Sequence, residues 1–191
     1  MSQTATARHH LEPAPADLAL VQDLLNTRVI GRHGSDLLAT VESARDWLHA
    51  VLPVVDGSGE DASWIAALSD RDLRSIRLLR EGVENLVNDG HLDDRVTPLV
   101  ATRLAITGAG VLRLEPAGRG WHRLAALVWT QVFLAQQADT WRRLKLCRNP
   151  PCNSAFYDRS RNNSAVWHDV RVCGNAANLR ASRARRKSVA Q

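Results

Sequence analysis

Three cysteines and one histidine near the C-terminal end of this 191-residue sequence carry its most specific chemistry. Four residues separate Cys147 from Cys152, fifteen follow, and four more separate His168 from Cys173. Zn²⁺ takes sulfur and nitrogen donors in a tetrahedron, and two close pairs deliver four donors with little loop-closure entropy. The chain holds no other cysteine, so these are not scattered core fillers, and an odd count leaves one thiol over in any disulfide scheme. His9, His10, His33, His49, His91 and His122 all precede the first cysteine, which leaves His168 as the fourth donor. A catalytic zinc keeps an open position beside a general base. Here four donors sit at closed-site spacing, and Asp158 and Asp169 are the only carboxylates in the segment. One structural Zn²⁺ on Cys147, Cys152, His168 and Cys173 is expected. Its binding supplies folding energy to a segment with only Phe156, Tyr157 and Trp167 for a small core.

The same stretch resembles the CGNR zinc-finger family. The resemblance rests on Cys147, Cys152, the run Phe156-Tyr157-Asp158-Arg159-Ser160-Arg161-Asn162, then Trp167 and Cys173-Gly174-Asn175. It implies a bacterial protein in which a helical N-terminal domain, called ABATE, precedes a treble-clef-like zinc module ending in a basic helix, with stress-linked transcription regulation as the expected role. His168 stands where family members usually carry cysteine, a substitution zinc accepts. Ala176 stands where the family name has arginine, so a contact made by that side chain is missing here. Asn26-Thr27-Arg28 resembles an Asn-Thr element near the start of the family's N-terminal domain; by their types alone, Asn26 and Thr27 read as terminators of a helix.

Charge divides the chain. Residues 1–141 carry 13 Lys and Arg against 18 Asp and Glu, whereas residues 142–191 carry 12 against 2. A net −5 body is thus joined to a net +10 tail, the pattern of a polyanion-binding module attached to another domain. Arg180, Arg183, Arg185, Arg186 and Lys187 suit a terminal helix over 174–187, and Arg159 and Arg161 on the preceding loop are expected to join its face. These seven are the candidate nucleic-acid contacts. Such cations supply affinity through phosphates without reading base sequence.

The elements that must position this module are mainly helical. Apolar residues at helical spacing predict helices over 17–29, with Asp17 as cap, and over 36–51, stopped by Pro53. Further helices are expected over 62–68 and 70–88. Residues 56–59 are expected as a loop, and not as a phosphate cradle, since no Lys-Ser or Lys-Thr follows. On the 70–88 helix, Arg71, Arg74, Arg77 and Arg80 interleave with acids and read as a solvated face. Residues 103–116 shift to strand alternation around Thr107-Gly108-Ala109-Gly110 and predict a hairpin. A strongly apolar helix over 120–141 is expected at the centre of the bundle.

The fold class is therefore mainly α: a disordered tail over 1–15, a helical domain with one small β-hairpin over 16–141, and a zinc module with a basic helix over 142–191. No apolar run approaches the ~20 residues of a membrane span, no signal-peptide core follows Arg8 and His9, and with thiols reserved for metal the expected compartment is the cytoplasm. The function expected is a zinc-dependent, DNA-binding transcription regulator rather than an enzyme, because residues 16–141 hold no constellation of His, Ser, Cys and carboxylate. A basic treble clef also serves RNA or protein partners, which is the alternative. Room remains for a homodimer and for an unidentified ligand of the helical domain.

Overall fold

Leu18, Val21, Leu24 and Leu25 repeat at helical spacing and fold α1 (Ala16–Leu25), with Pro15 at the N-cap and Asp17 inside the helix. The computed structural model describes residues 3–31, 34–55, 63–92 and 100–189. Around α1 pack α2 (Val41–Val55), α4 (Asp70–Asp89) and α5 (Trp121–Gln137), with the short α3 (Ser63–Ala66) against α2. The core they share includes Leu18, Leu24, Trp47, Leu48, Ile76, Leu79, Leu124 and Val128. Among the described residues, no helix is long and apolar enough to cross a membrane. The expected loop over 56–59 lies outside the described residues.

The central helix is α1 rather than α5. Every residue from Leu20 to Thr27 is buried, including Gln22, Asp23, Asn26 and Thr27. On α5 the buried stripe is Leu124, Ala125, Ala126, Val128, Val132 and Ala135, while Phe133 and Leu134 face outward. α5 also ends four residues earlier than expected, and the chain turns at Asp139, which has a positive φ. α2 begins at Val41, not at Asp36, with Thr40 before it accepting from Ser43 N on Oγ1 at 3.2 Å, and it runs through Pro53 instead of stopping there.

Two further expectations are corrected. Arg80 is 6% exposed and forks onto both carboxylate oxygens of Asp36, at 2.8 Å each, and onto Thr27 Oγ1. Arg77 donates to the carbonyls of Leu38 and Ala39. These two arginines therefore hold the turn before α2 against α4, where a solvated face was expected. Residues 3–15 are likewise no loose tail. The amides of Ala5 and Thr6 donate to the buried carboxylate of Asp23 at 3.0 and 2.8 Å, and Trp47 Nε1 donates to the same group at 2.7 Å. The Arg8 guanidinium collects the carbonyls of Asn26, Thr27, Arg28 and Ser35. Carbonyls at and just beyond the end of a helix need donors from outside it, and the N-terminal segment provides them.

β1 (Thr102–Ile106) and β2 (Leu112–Pro116) form the expected hairpin, antiparallel from Thr102↔Pro116 to Ile106↔Leu112. It leads into α5 through Gly120, whose φ is +55°. A Cβ there would come within 2.6 Å of Asp72 Oδ1, so glycine lets that carboxylate accept from Trp121 N at the start of α5. The last segment makes a second hairpin, β3 (Leu144–Leu146) with β4 (Ala155–Tyr157), then a π-turn at Val170–Gly174 and α6 (Asn175–Val189). Successive side chains of β4 part company, as strand geometry requires. Ala155 and Tyr157 join the main core, while Phe156 packs with Cys147, Cys173 and Trp167 in a small separate one.

Candidate metal centre and basic helix

The β3–β4 hairpin sets the first pair of donors. Cys147 follows β3, and its amide donates to Ser154 O; Cys152 closes a tight turn in which its own amide and that of Asn153 both reach Asn149 O. Asn153 takes the left-handed conformation that such a turn favours. The second pair comes from the other end of the module. His168 precedes the π-turn, whose i+5 bond from Gly174 N to Asp169 O brings Cys173 inward. Asp169 caps that turn by accepting from the amides of Arg171 and Val172. Gly174 lies under close cover: a Cβ there would stand 3.2 Å from Val170 Cγ1 and 3.3 Å from Trp167 Cε3, and those side chains would have to shift by a few tenths of an ångström.

These elements bring all four sequence-predicted donors together. The three cysteines are free thiols, and one donor atom from each of Cys147, Cys152, His168 and Cys173 lies within 4.8 Å of the others. His168 Nδ1 stands 3.4 Å from Cys152 Sγ and 3.7 Å from Cys173 Sγ. A tetrahedral zinc with bonds of about 2.3 Å to sulfur and 2.0 Å to nitrogen holds S and N roughly 3.5 Å apart. The donor set therefore fits one zinc.

Electrostatics agree with the geometry. Contact with Cys147 holds the Cys152 thiol down to about 3, against the upward push of burial. The reciprocal contact with Cys152, and then burial, push Cys147 well up, while burial raises Cys173. His168 is raised by its hydrogen bond to Cys152. Three thiols and an imidazole crowded closely enough to contend for protons are the situation a divalent cation relieves.

Outer contacts were not legible in the spacing. Asn149 Nδ2 donates to Cys173 Sγ at 3.0 Å, and Asn149 Oδ1 accepts from Arg180 on α6. Ser154 Oγ lies 3.2 Å from both Cys152 Sγ and His168 Nδ1. Asp158 is 1% exposed and accepts from Lys145 Nζ at 2.7 Å and from the amides of Ser160 and Ala165. Burial alone would raise its carboxyl, but Lys145 and these donors hold it well below the usual range. Of the two carboxylates in the module, one thus straps the loop and the other caps the π-turn.

The largest omission concerns Asn26. Its side chain receives Ala155 N on Oδ1 at 2.8 Å and donates from Nδ2 to Ala155 O at 3.0 Å, as a neighbouring strand would. Gln22 Nε2 also donates to Ala155 O. So Asn26 does more than end a helix: it joins α1 to the residue three positions after a zinc ligand. The available signal was its place in the apolar stripe of α1, since a polar group buried there must find a partner.

The candidate nucleic-acid contacts separate into two groups. Arg183, Arg185 and Arg186 are exposed along α6, and Arg161 is exposed on the loop. Arg180 reaches back to Asn149, as described, and Arg159 pairs with Glu12 Oε1 at 2.8 Å, donates to Pro13 O and lies over the Tyr157 ring. The side chain of Lys187 is outside what the structure describes.

A helical domain followed by a knuckle hairpin, a π-turn and a helix around one Cys₃His zinc site defines a treble-clef zinc-finger protein with a helical partner domain. Residues 6–141 match the ABATE family model, described as "putative stress-induced transcription regulator", and residues 143–186 match the model of the CGNR zinc finger. The chain belongs to the ABATE family and carries a CGNR zinc finger, which binds one structural zinc through Cys147, Cys152, His168 and Cys173. No curated protein matches the chain. Both families are regulatory or zinc-finger families rather than families of enzymes.

Proposed function

We propose that the protein is a DNA-binding transcription regulator whose zinc module, residues 142–191, presents α6 to the phosphate backbone, while the helical domain, residues 16–141, senses a signal or assembles the regulator. The observation that carries this reading is α6 itself. Among the described residues its one larger element contact is with the π-turn, it exposes Arg183 and Arg186, and the sequence has no acidic residue after Asp169. Isolated helices of about 15 residues are marginal in water. A basic helix of this length with so little packing gains most from a polyanion partner. Zinc acts structurally: it joins Cys173, in the π-turn just before α6, to the hairpin ligands, and so fixes where the helix points.

The test is metal content and duplex-DNA affinity on one sample of the full chain, titrated with salt. The expected result is one zinc per chain and binding that weakens steeply with salt. Cys147→Ser and Cys173→Ser should lose zinc and DNA together, whereas Arg183→Ala should weaken binding at unchanged zinc content. A zinc-loaded protein with no salt-sensitive affinity for duplex DNA overturns the reading, and a preference for single-stranded or hairpin RNA replaces it.

A further inference from the structure

The β1–β2 hairpin leaves an apolar face bare. Its register sets Leu104 opposite Leu114 and Ile106 opposite Leu112. Alternate residues of a strand share a face, so these four project from one side, and Arg103, Arg113 and Glu115 project with Ala105 from the other. The base of the apolar side meets α5, where Thr102 Oγ1 lies 3.3 Å from Thr130 Oγ1. Toward the tip, Leu104, Ile106 and Leu112 are 65%, 71% and 60% exposed. About one helical turn beyond Thr130 stand Phe133 and Leu134, at 52% and 42%. Satellite hairpins ordinarily turn their charged side to water and their apolar side to a core. Here, among the described residues, only the base of the apolar side is covered.

The geometry points to a homodimer in which this hairpin face, with Phe133 and Leu134, packs against the same surface of a second copy of the chain about a two-fold axis. Five large side chains at these exposures offer roughly 550 Å² of apolar surface, near the top of the range for a patch on a monomer. That is most of the ~800 Å² per partner that a standard interface buries. A two-fold contact needs a patch complementary to itself, and a surface of aliphatic and aromatic groups without charge meets that need. A two-stranded hairpin is also marginal in water on its own, so burial of its apolar face is what stabilises it. The patch includes no residue of the zinc module or α6, and the dimer does not rest on the DNA-binding reading. It does imply that two basic helices are carried per assembly.

Sedimentation or light scattering of the zinc-loaded full chain, across roughly 1–100 µM where modest self-association shows, reads the mass directly. The expected mass is twice 21.1 kDa at the upper end. Ile106→Glu combined with Leu112→Glu should return the protein to 21.1 kDa with its helical circular dichroism and zinc content unchanged. Phe133→Glu, on α5 rather than the hairpin, should weaken dimerisation by about tenfold or more, which a hairpin that merely unravelled in the first variant does not explain. A monomer at every concentration, or a dimer that survives both variants, overturns the proposal. No nucleic acid enters the measurement, so failure of DNA binding and failure of the dimer are separable.

Discussion

At the scale of single residues, the two groups that decide most are Asn26 and Asp158, and neither touches the metal. Asn26 satisfies both backbone groups of Ala155 and donates to Thr6 Oγ1. Asn26→Ala leaves the buried Ala155 amide without its partner, at about 1–3 kcal/mol, and takes one of two donors from Ala155 O, which keeps Gln22. Denaturant unfolding should show a loss on the order of 2–4 kcal/mol, and a loss below about 0.5 kcal/mol would remove Asn26 as the link between the modules. Asp158 gives a pH dependence. Its folded carboxyl lies below its ordinary value of 3.8, so the stability it supplies is complete above that value and is lost as pH falls through the folded one. Lys145→Met removes the cation that Asp158 accepts from. The variant should be less stable than the parent at neutral pH, with the gap narrowing below pH 4. A gap that widens with acid contradicts this account of the pair.

Among the elements, the π-turn and α6 act together. The turn places Cys173, and the helix that follows carries the exposed arginines. Ala176, Arg180, Arg183 and Lys187 fall at spacings of four, three and four, one stripe of a helix. The arginine that the family pattern has at position 176 would extend that stripe by one turn. On a duplex, each phosphate contact contributes about 0.9 to the slope of log affinity against log salt. Arg183→Ala and Arg186→Ala should each reduce the slope by about that amount, with zinc content unchanged. Unaltered slopes in both variants would overturn the proposal that α6 contacts DNA. Arg159→Ala should behave differently, costing stability through its contacts with Glu12 and Pro13 more than it costs affinity.

Across the whole molecule, the zinc module and the helical domain are not independent. Leu144 and Ala155 belong to the core of the bundle. Gln22 and Asn26 grip Ala155, and Glu84 accepts from Asn153 on the knuckle while pairing with Arg28. Zinc was expected to supply folding energy to its own segment; these contacts argue that the bundle shares it. Zinc in small modules contributes apparent binding energy of about 10–16 kcal/mol, comparable with the entire net stability of a domain. Chelation should therefore lower the thermal transition of the helical signal itself. An unchanged bundle transition after zinc is stripped would mean that the modules fold separately.

The sequence alone determined the features that rest on short-range pattern. The two close pairs of donors define a metal site because loop closure is cheap at such spacing, and the helices and the first hairpin follow from periodicity. The charge division is plain from counting. What only the tertiary structure decided were the partners of buried polar groups. Asn26 and Ala155 lie 129 positions apart, and Arg80 and Asp36 lie 44 apart. Residue type says that such a group needs a partner, but not where in the chain the partner is. The same limit made the first fifteen residues look loose: their composition cannot bury a core, and residues 3–15 are held instead by Asp23, by Gln22 and by the carbonyls that end α1. Periodicity finds the faces of helices, whereas hydrogen bonding across the fold decides which polar side chains belong inside.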